Sequence, residues 1–121
     1  MKINIEQISK KIENPTVLEW FRVIAENSHT NRDNKIYKNL TKLLNKRNSI
    51  KVNLWKLNKY SKPDDYIIVP GKVLGVGALN HKINICAINF SESAKSQINQ
   101  TKSQIIKLQE IINKKDVKII I

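Results

Sequence analysis

The sequence predicts a mixed α/β fold in a single small domain, helical in its N-terminal part. Three observations predict it. Apolar residues recur at helical spacing through Val17, Leu18, Phe21, Ile24 and Ala25, and again through Ile36, Leu40, Leu43 and Leu44. Two apolar runs, Tyr66–Val69 and Ile83–Phe90, read as strands. The chain has 121 residues, the length of one domain.

The elements follow in order. Residues 1 to 13 alternate polar and apolar loosely through Ile3, Ile5, Ile8 and Ile12, as a short helix or a lead-in arm. Asn14-Pro15 starts a helix, with Asn14 as N-cap and Pro15 at the first helical position, and Asn27 to Asn31 stops it. A second helix spans roughly Asp33 to Lys46. Lys46-Arg47-Asn48-Ser49 is a loop, Ile50 to Leu54 is extended, and Trp55 to Tyr60 forms one or two helical turns capped by Asn53. Ser61 to Asp65 is a turn. The first strand then leads into a glycine segment, Asn80-His81-Lys82 turns, and the second strand follows. A helix from Ser91 to Asn99 has Ser91 or Ser93 as its cap, and Thr101-Lys102-Ser103 breaks it. Ile105, Ile106, Leu108, Ile111 and Ile112 give a last helix, and Val117 to Ile121 a closing strand.

All three glycines lie in one stretch, Val69-Pro70-Gly71-Lys72-Val73-Leu74-Gly75-Val76-Gly77-Ala78-Leu79. Special backbone geometry is therefore needed here. Two readings are open: a structural corner between strands, the commoner use of glycine, or a backbone surface pressed on phosphates. The stretch fails the phosphate-loop pattern, because Lys72 follows the first glycine and no Ser or Thr follows it. It fails the dinucleotide fingerprint as well, because Gly75-Val76-Gly77 is continued by Asn80 where glycine is required.

Charge narrows the function. Lys plus Arg number 22 against 10 Asp plus Glu, a formal net charge of +12. Self-repulsion of that size costs stability unless a polyanion is near. Nucleic acid is the commonest such partner. A membrane is not expected, since no apolar run approaches the length of a span. Lys35, Lys38, Lys42 and Lys46 step along one helix face, opposite its apolar side. No acidic residue occurs between Asp33 and Asp64, whereas Arg47, Lys51, Lys56, Lys59 and Lys62 continue the basic series. A face built only for solubility would mix both signs. Trp55 and Tyr60 stand among these lysines. Base stacking is one reading of them, and packing beneath lysine stems is the favoured one.

The residues give little support to an enzyme. No Cys/His metal spacing occurs. Cys86, the single cysteine, lies in an apolar strand and reads as a small buried hydrophobe in an intracellular protein. His29 and His81 are isolated, and the adjacent Asp64 and Asp65 serve a turn. No cofactor or small-molecule substrate is expected. A pocket of convergent polar groups around Lys72 and His81 would be needed to reopen the question.

Three motifs carry a resemblance: Val52-Asn53-Leu54-x-x-Leu57-x-x-Tyr60, then Val69-Pro70-Gly71-Lys72-Val73-Leu74-Gly75-x-Gly77-x-Leu79, then Ala87-x-x-Phe90-Ser91-x-x-Ala94. Together with the Asn14-Pro15 helix they resemble archaeal large-subunit ribosomal proteins of the eighteen-e type. That family is related to bacterial large-subunit protein fifteen through the part matching Lys72 to Leu79. The resemblance covers residues 14 to 121 and leaves 1 to 13 as an N-terminal arm. Trp55 departs from the family pattern, which usually has a small residue there, and the loop at Arg47 carries less arginine than is usual. The resemblance implies a short irregular sheet with surrounding helices. It implies a structural role on large-subunit ribosomal RNA beside neighbouring ribosomal proteins in the cytoplasm, without catalysis. The alternative is a free-standing, chaperone-like RNA or DNA binder. The candidate RNA-binding set is Lys35, Lys38, Lys42, Lys46, Arg47, Lys51, Lys56, Lys59, Gly71, Lys72, Gly75, Gly77 and Lys82.

Overall fold

The computed structural model describes residues 14–28, 35–114 and 116–121. The expected arm at residues 1 to 13 lies outside them, as do His29 and the helix-stopping residues 29 to 31. The chain forms two compact units, one ending at Lys46 and the other running from Arg47 to Ile121.

The first unit is helical. Helix α1 spans Pro15–Ser28 and α2 spans Lys35–Asn45. The expected cap is present: the Thr16 N–H donates to Asn14 Oδ1 at 2.9 Å. Val17, Trp20, Phe21, Val23 and Ile24 are buried on α1, and Leu40 and Leu44 on α2, with the two helices in contact. Lys42 and Lys46 are exposed.

The second unit is a five-stranded parallel sheet with short helices. Its elements are a 3-10 turn at Arg47–Ser49, β1 (Lys51–Asn53), α3 (Leu54–Tyr60), β2 (Tyr66–Leu74), β3 (Asn84–Phe90), α4 (Glu92–Gln100), β4 (Gln104–Ile105), α5 (Leu108–Ile111) and β5 (Lys118–Ile119). The strand order is β1-β2-β3-β4, and β5 also pairs with β2. Because β3 holds one edge of β2, β1 and β5 share the other, opposite residues 72–74 and 67–68 respectively. Parallel strands covered on both faces read as continuous apolar runs. Accordingly Ile67, Ile68, Val69, Ile83, Ile85 and Cys86 are all buried.

Three corrections to the sequence reading follow. First, the strand expected over Tyr66–Val69 does not end where the glycine segment begins. Strand β2 continues through it to Leu74, because β1 supplies a second partner there, with Val52 opposite Val73. The irregularity is absorbed as a register shift against β3 between Val69 and Lys72. The corner proper begins at Gly75. Second, Ile105 and Ile106 do not join a helix. The Gln104 N–H donates to the Ile83 carbonyl at 3.0 Å and the Ile106 N–H to the Ile85 carbonyl at 2.9 Å. The open edge of β3 captures this segment, and the helix shrinks to Leu108–Ile111. Third, Asn53 precedes α3 without capping it by side chain. The Trp55 N–H that it could serve donates instead to the Val76 carbonyl at 3.1 Å. Asn53 Oδ1 is left buried without a partner among the described residues. By contrast Ser91 caps α4 as expected, its Oγ accepting the Ala94 N–H at 3.2 Å.

Candidate nucleic-acid interface

The β1–β2–β3 register decides where the lysines of the sheet lie. Lys51 pairs with Lys72, and Lys72 with Asn89. Paired residues of a parallel ladder share a face, with strands about 4.8 Å apart. Two lysines therefore stand side by side, with an amide as the next member of the row. One residue on, Val52, Val73 and Phe90 form the row of the opposite face, where both valines are buried. Lys51 and Asn89 are exposed and Lys72 is half-buried. Neither lysine side chain forms an ion pair or hydrogen bond among the described residues.

The glycines explain how the segment closes over α3 and α4. A Cβ on Gly71 would strike the Ile50 backbone and side chain, with Ile50 Cγ2 at 2.7 Å. On Gly75 it would meet Ser93 and the Ala94 nitrogen, the latter at 2.9 Å. Gly77 has φ +87°, and its Cβ would fall 2.6 Å from Trp55 Cβ. The space at each is filled by this protein, so intramolecular packing accounts for all three. Side-chain amides fasten the corner further: Gln97 Nε2 donates to the Gly75 carbonyl at 3.1 Å, and the Asn80 N–H to Asn58 Oδ1 at 2.8 Å.

The remaining predicted residues divide by engagement. Lys59 and Lys82 are exposed. Lys56 is half-buried, its Nζ donating to the Ile121 backbone oxygen at 2.6 Å. Arg47 is half-buried in the 3-10 turn. Lys35 lies at the start of α2 and Lys38 within it. Lys62, Lys95, Lys102 and Lys107 are exposed lysines outside the predicted set, Lys62 within the acid-free interval and the other three beyond it. The last three share their part of the chain with Glu92, Glu110 and Asp116.

The aromatics separate as well. The Lys59 ammonium lies 5.4 Å from the Tyr60 ring centroid, and that of Lys114 lies 5.7 Å from the Tyr66 ring. The expected packing of aromatic under lysine thus holds at Tyr60. It fails at Trp55, which is 48% exposed and has no ammonium over its ring among the described residues.

Polar clusters elsewhere serve the fold. Ser61 Oγ donates to the Leu57 carbonyl at 2.6 Å and lies 2.8 Å from His81 Nε2. The hydroxyl's single proton is committed to the carbonyl, so the imidazole is the donor in this pair. The group clamps the turn to α3 and is not an activated nucleophile. Asp65 Oδ2 accepts from the Lys118 ammonium and from the Lys62 N–H, both at 2.8 Å. The Lys118 hydrogen bond holds the Asp65 carboxyl below its ordinary value, against a smaller opposing effect of desolvation. No group of three or more metal-ligating side chains occurs among the described residues, and no helix among them is long and apolar enough to cross a membrane.

Comparison with protein-family models finds no match. Comparison with curated proteins does. A Methanothermobacter thermautotrophicus protein is 32% identical over 113 residues, covering 88% of this chain and 93% of its own length. A Sulfurisphaera tokodaii protein is 44% identical over 61 residues, about half of each chain. A Methanoregula boonei protein is 38% identical over 92 residues. All three are named large ribosomal subunit protein eL18. With that last identity spread over 74% of this chain and 76% of the relative, the chain belongs to the eL18 family.

Proposed function

We propose that this protein is a structural constituent of the large ribosomal subunit that holds folded ribosomal RNA through its lysine-bearing surfaces, in the cytoplasm and without catalysis. Family membership supports the first half of this reading. The observation that carries the second is the side-by-side placement of Lys51 and Lys72 on a sheet face. Like charges in register oppose folding, and a bound phosphate backbone reverses the sign of that contribution. Folded RNA hides its base edges in a deep major groove, so a protein bracing it meets backbone and 2′-hydroxyls. Lysines on a rigid sheet suit that task. Arg47, Lys59 and Lys82 add charge within the same unit, and Lys35, Lys38, Lys42 and Lys46 carry charge on the helical unit. Gly71, Gly75 and Gly77 contribute by bringing β1, α4 and α3 close to the segment that bears Lys72.

The test is binding of the intact chain to in-vitro-transcribed archaeal large-subunit RNA across a salt series. Neutralising about six to eight phosphates gives a slope of log K against log salt of roughly −4 to −7. A flat response would remove the reading. Co-sedimentation of tagged protein with large subunits in moderately high salt separates the ribosomal assignment from a free-standing RNA or DNA binder.

A further inference from the structure

We propose that Trp55 is a stacking platform for one unpaired base of the bound RNA. The proposal rests on the RNA-binding reading above and adds a contact of a different kind to it.

Trp55 and Val76 are 48% and 58% exposed, and they are adjacent. The Trp55 N–H donates to the Val76 carbonyl, and the missing Cβ of Gly77 leaves room for Trp55 Cβ. The root of the indole is thus fixed between helix and corner. A backbone anchored in this way needs no rearrangement when a flat partner lands on the ring it carries. Tyr60, on the same helix, is 52% exposed, but a lysine ammonium already occupies its ring. Trp55 has no such cover among the described residues, which leaves its π-face open.

Charge complementarity identifies the occupant. The two segments that form the patch, α3 and the 74–80 corner, contain no carboxylate. Between Asp33 and Glu92 the sequence has two acidic residues, Asp64 and Asp65, and the second is paired with Lys118. Lys51, just before α3, and Lys59 within it are both exposed. An aromatic face among unopposed cations fits a nucleotide, whose base stacks while its phosphate is neutralised. A-form helices keep their bases stacked internally, so the base belongs to a loop, bulge or end.

The experiment uses the full chain and the same transcribed RNA. Trp20 is 2% exposed, and replacing it by Phe leaves Trp55 as the single indole reporter. RNA is expected to quench that emission. Trp55→Leu keeps the apolar bulk but lacks a π-face, and is expected to weaken binding about fivefold or more, the low end for one stacked base. Its salt slope should match the parent's, because no cation is lost. Trp55→Phe should restore most of the affinity, and thermal melts of each variant confirm folding. If Trp55→Leu binds as tightly as the parent, or if RNA leaves the Trp55 emission unchanged, the stacking proposal is overturned while a steep salt slope leaves the phosphate reading intact. A result in which Trp55→Leu binds RNA normally yet fails to enter large subunits overturns it in favour of a protein neighbour.

Discussion

Gly71→Ala tests whether the glycine segment exists for packing. Gly71 lies in β2, where the chain passes Ile50 at the entrance to β1. The added methyl would sit within 2.6 Å of Ile50 Cβ and closer still to its carbonyl oxygen. Backbone atoms cannot yield by changing rotamer, so β1 must retreat from β2. That motion strains the 3.0 Å hydrogen bond from the Lys72 N–H to the Ile50 carbonyl. Overpacking costs about 1–3 kcal/mol, and weakening one buried backbone hydrogen bond adds about 0.5–1.5 kcal/mol. The sum, about 1.5–4.5 kcal/mol, is a large share of the roughly 5–15 kcal/mol that holds a domain together. Urea denaturation followed by Trp55 fluorescence in a Trp20→Phe background measures it. The affinity of the folded fraction for RNA should change little, since the methyl points into the protein. A loss of stability below about 0.5 kcal/mol would refute the packing argument, and a large loss of affinity in fully folded protein would return Gly71 to the RNA surface.

Other substitutions probe separate parts of the same account. Lys102 closes α4 with φ 60°, so Lys102→Gly should stabilise the protein by about 0.5–1 kcal/mol in a thermal melt. Asp65 titrates lower in the folded state than in the unfolded chain, so its pairing with Lys118 stabilises above the ordinary value of 3.8 and fades as pH falls below it. The stability difference between the parent and Asp65→Asn should therefore shrink between about pH 5 and pH 2, and a constant difference would contradict the assignment. Lys72→Glu places opposite charges in register with Lys51. It should leave free-protein stability unchanged or raise it by about 0.2–1 kcal/mol, while weakening RNA binding and flattening the salt slope by about one or more.

The legible parts of the sequence were those fixed by local chemistry. Asn14-Pro15 started a helix and Ser91 capped another because each needs only its own neighbours. Strands β2 and β3 were visible because burial on both faces leaves an unbroken apolar run. Where the reading failed, a distant partner decided the outcome. Ile105 and Ile106 have helical spacing with Leu108 and Ile111, yet the free carbonyls of β3 draw them into the sheet. The apolar run of the first strand closes at Val69, yet β1 holds the chain extended through Pro70-Gly71 to Leu74. The pairing of Lys51 with Lys72 was equally hidden, since these residues lie in separate parts of the chain and the register joins them. Lys51 stands out in the sequence by its charge and Lys72 by its place in the glycine segment, and nothing in the sequence puts them next to each other.

That pairing bears on why the fold tolerates its charge. An isolated domain gains nothing from two lysines abreast on a sheet, and the one strand lysine with an ion pair among the described residues, Lys118, finds it in Asp65 of the turn before β2. At the Lys51–Lys72 row the neighbour in β3 is the neutral Asn89 rather than a carboxylate. The strands are nevertheless held in register by buried valines and by the close approach at Gly71 on either side of the row. Packing therefore supplies the alignment, and the lysines are carried by it against their own repulsion. An arrangement of that kind persists where an outside anion offsets the repulsion. It follows that raising salt should stabilise the free protein slightly, by screening the row, while it weakens the complex steeply. A protein whose free stability and RNA affinity moved together with salt would not be built in this way.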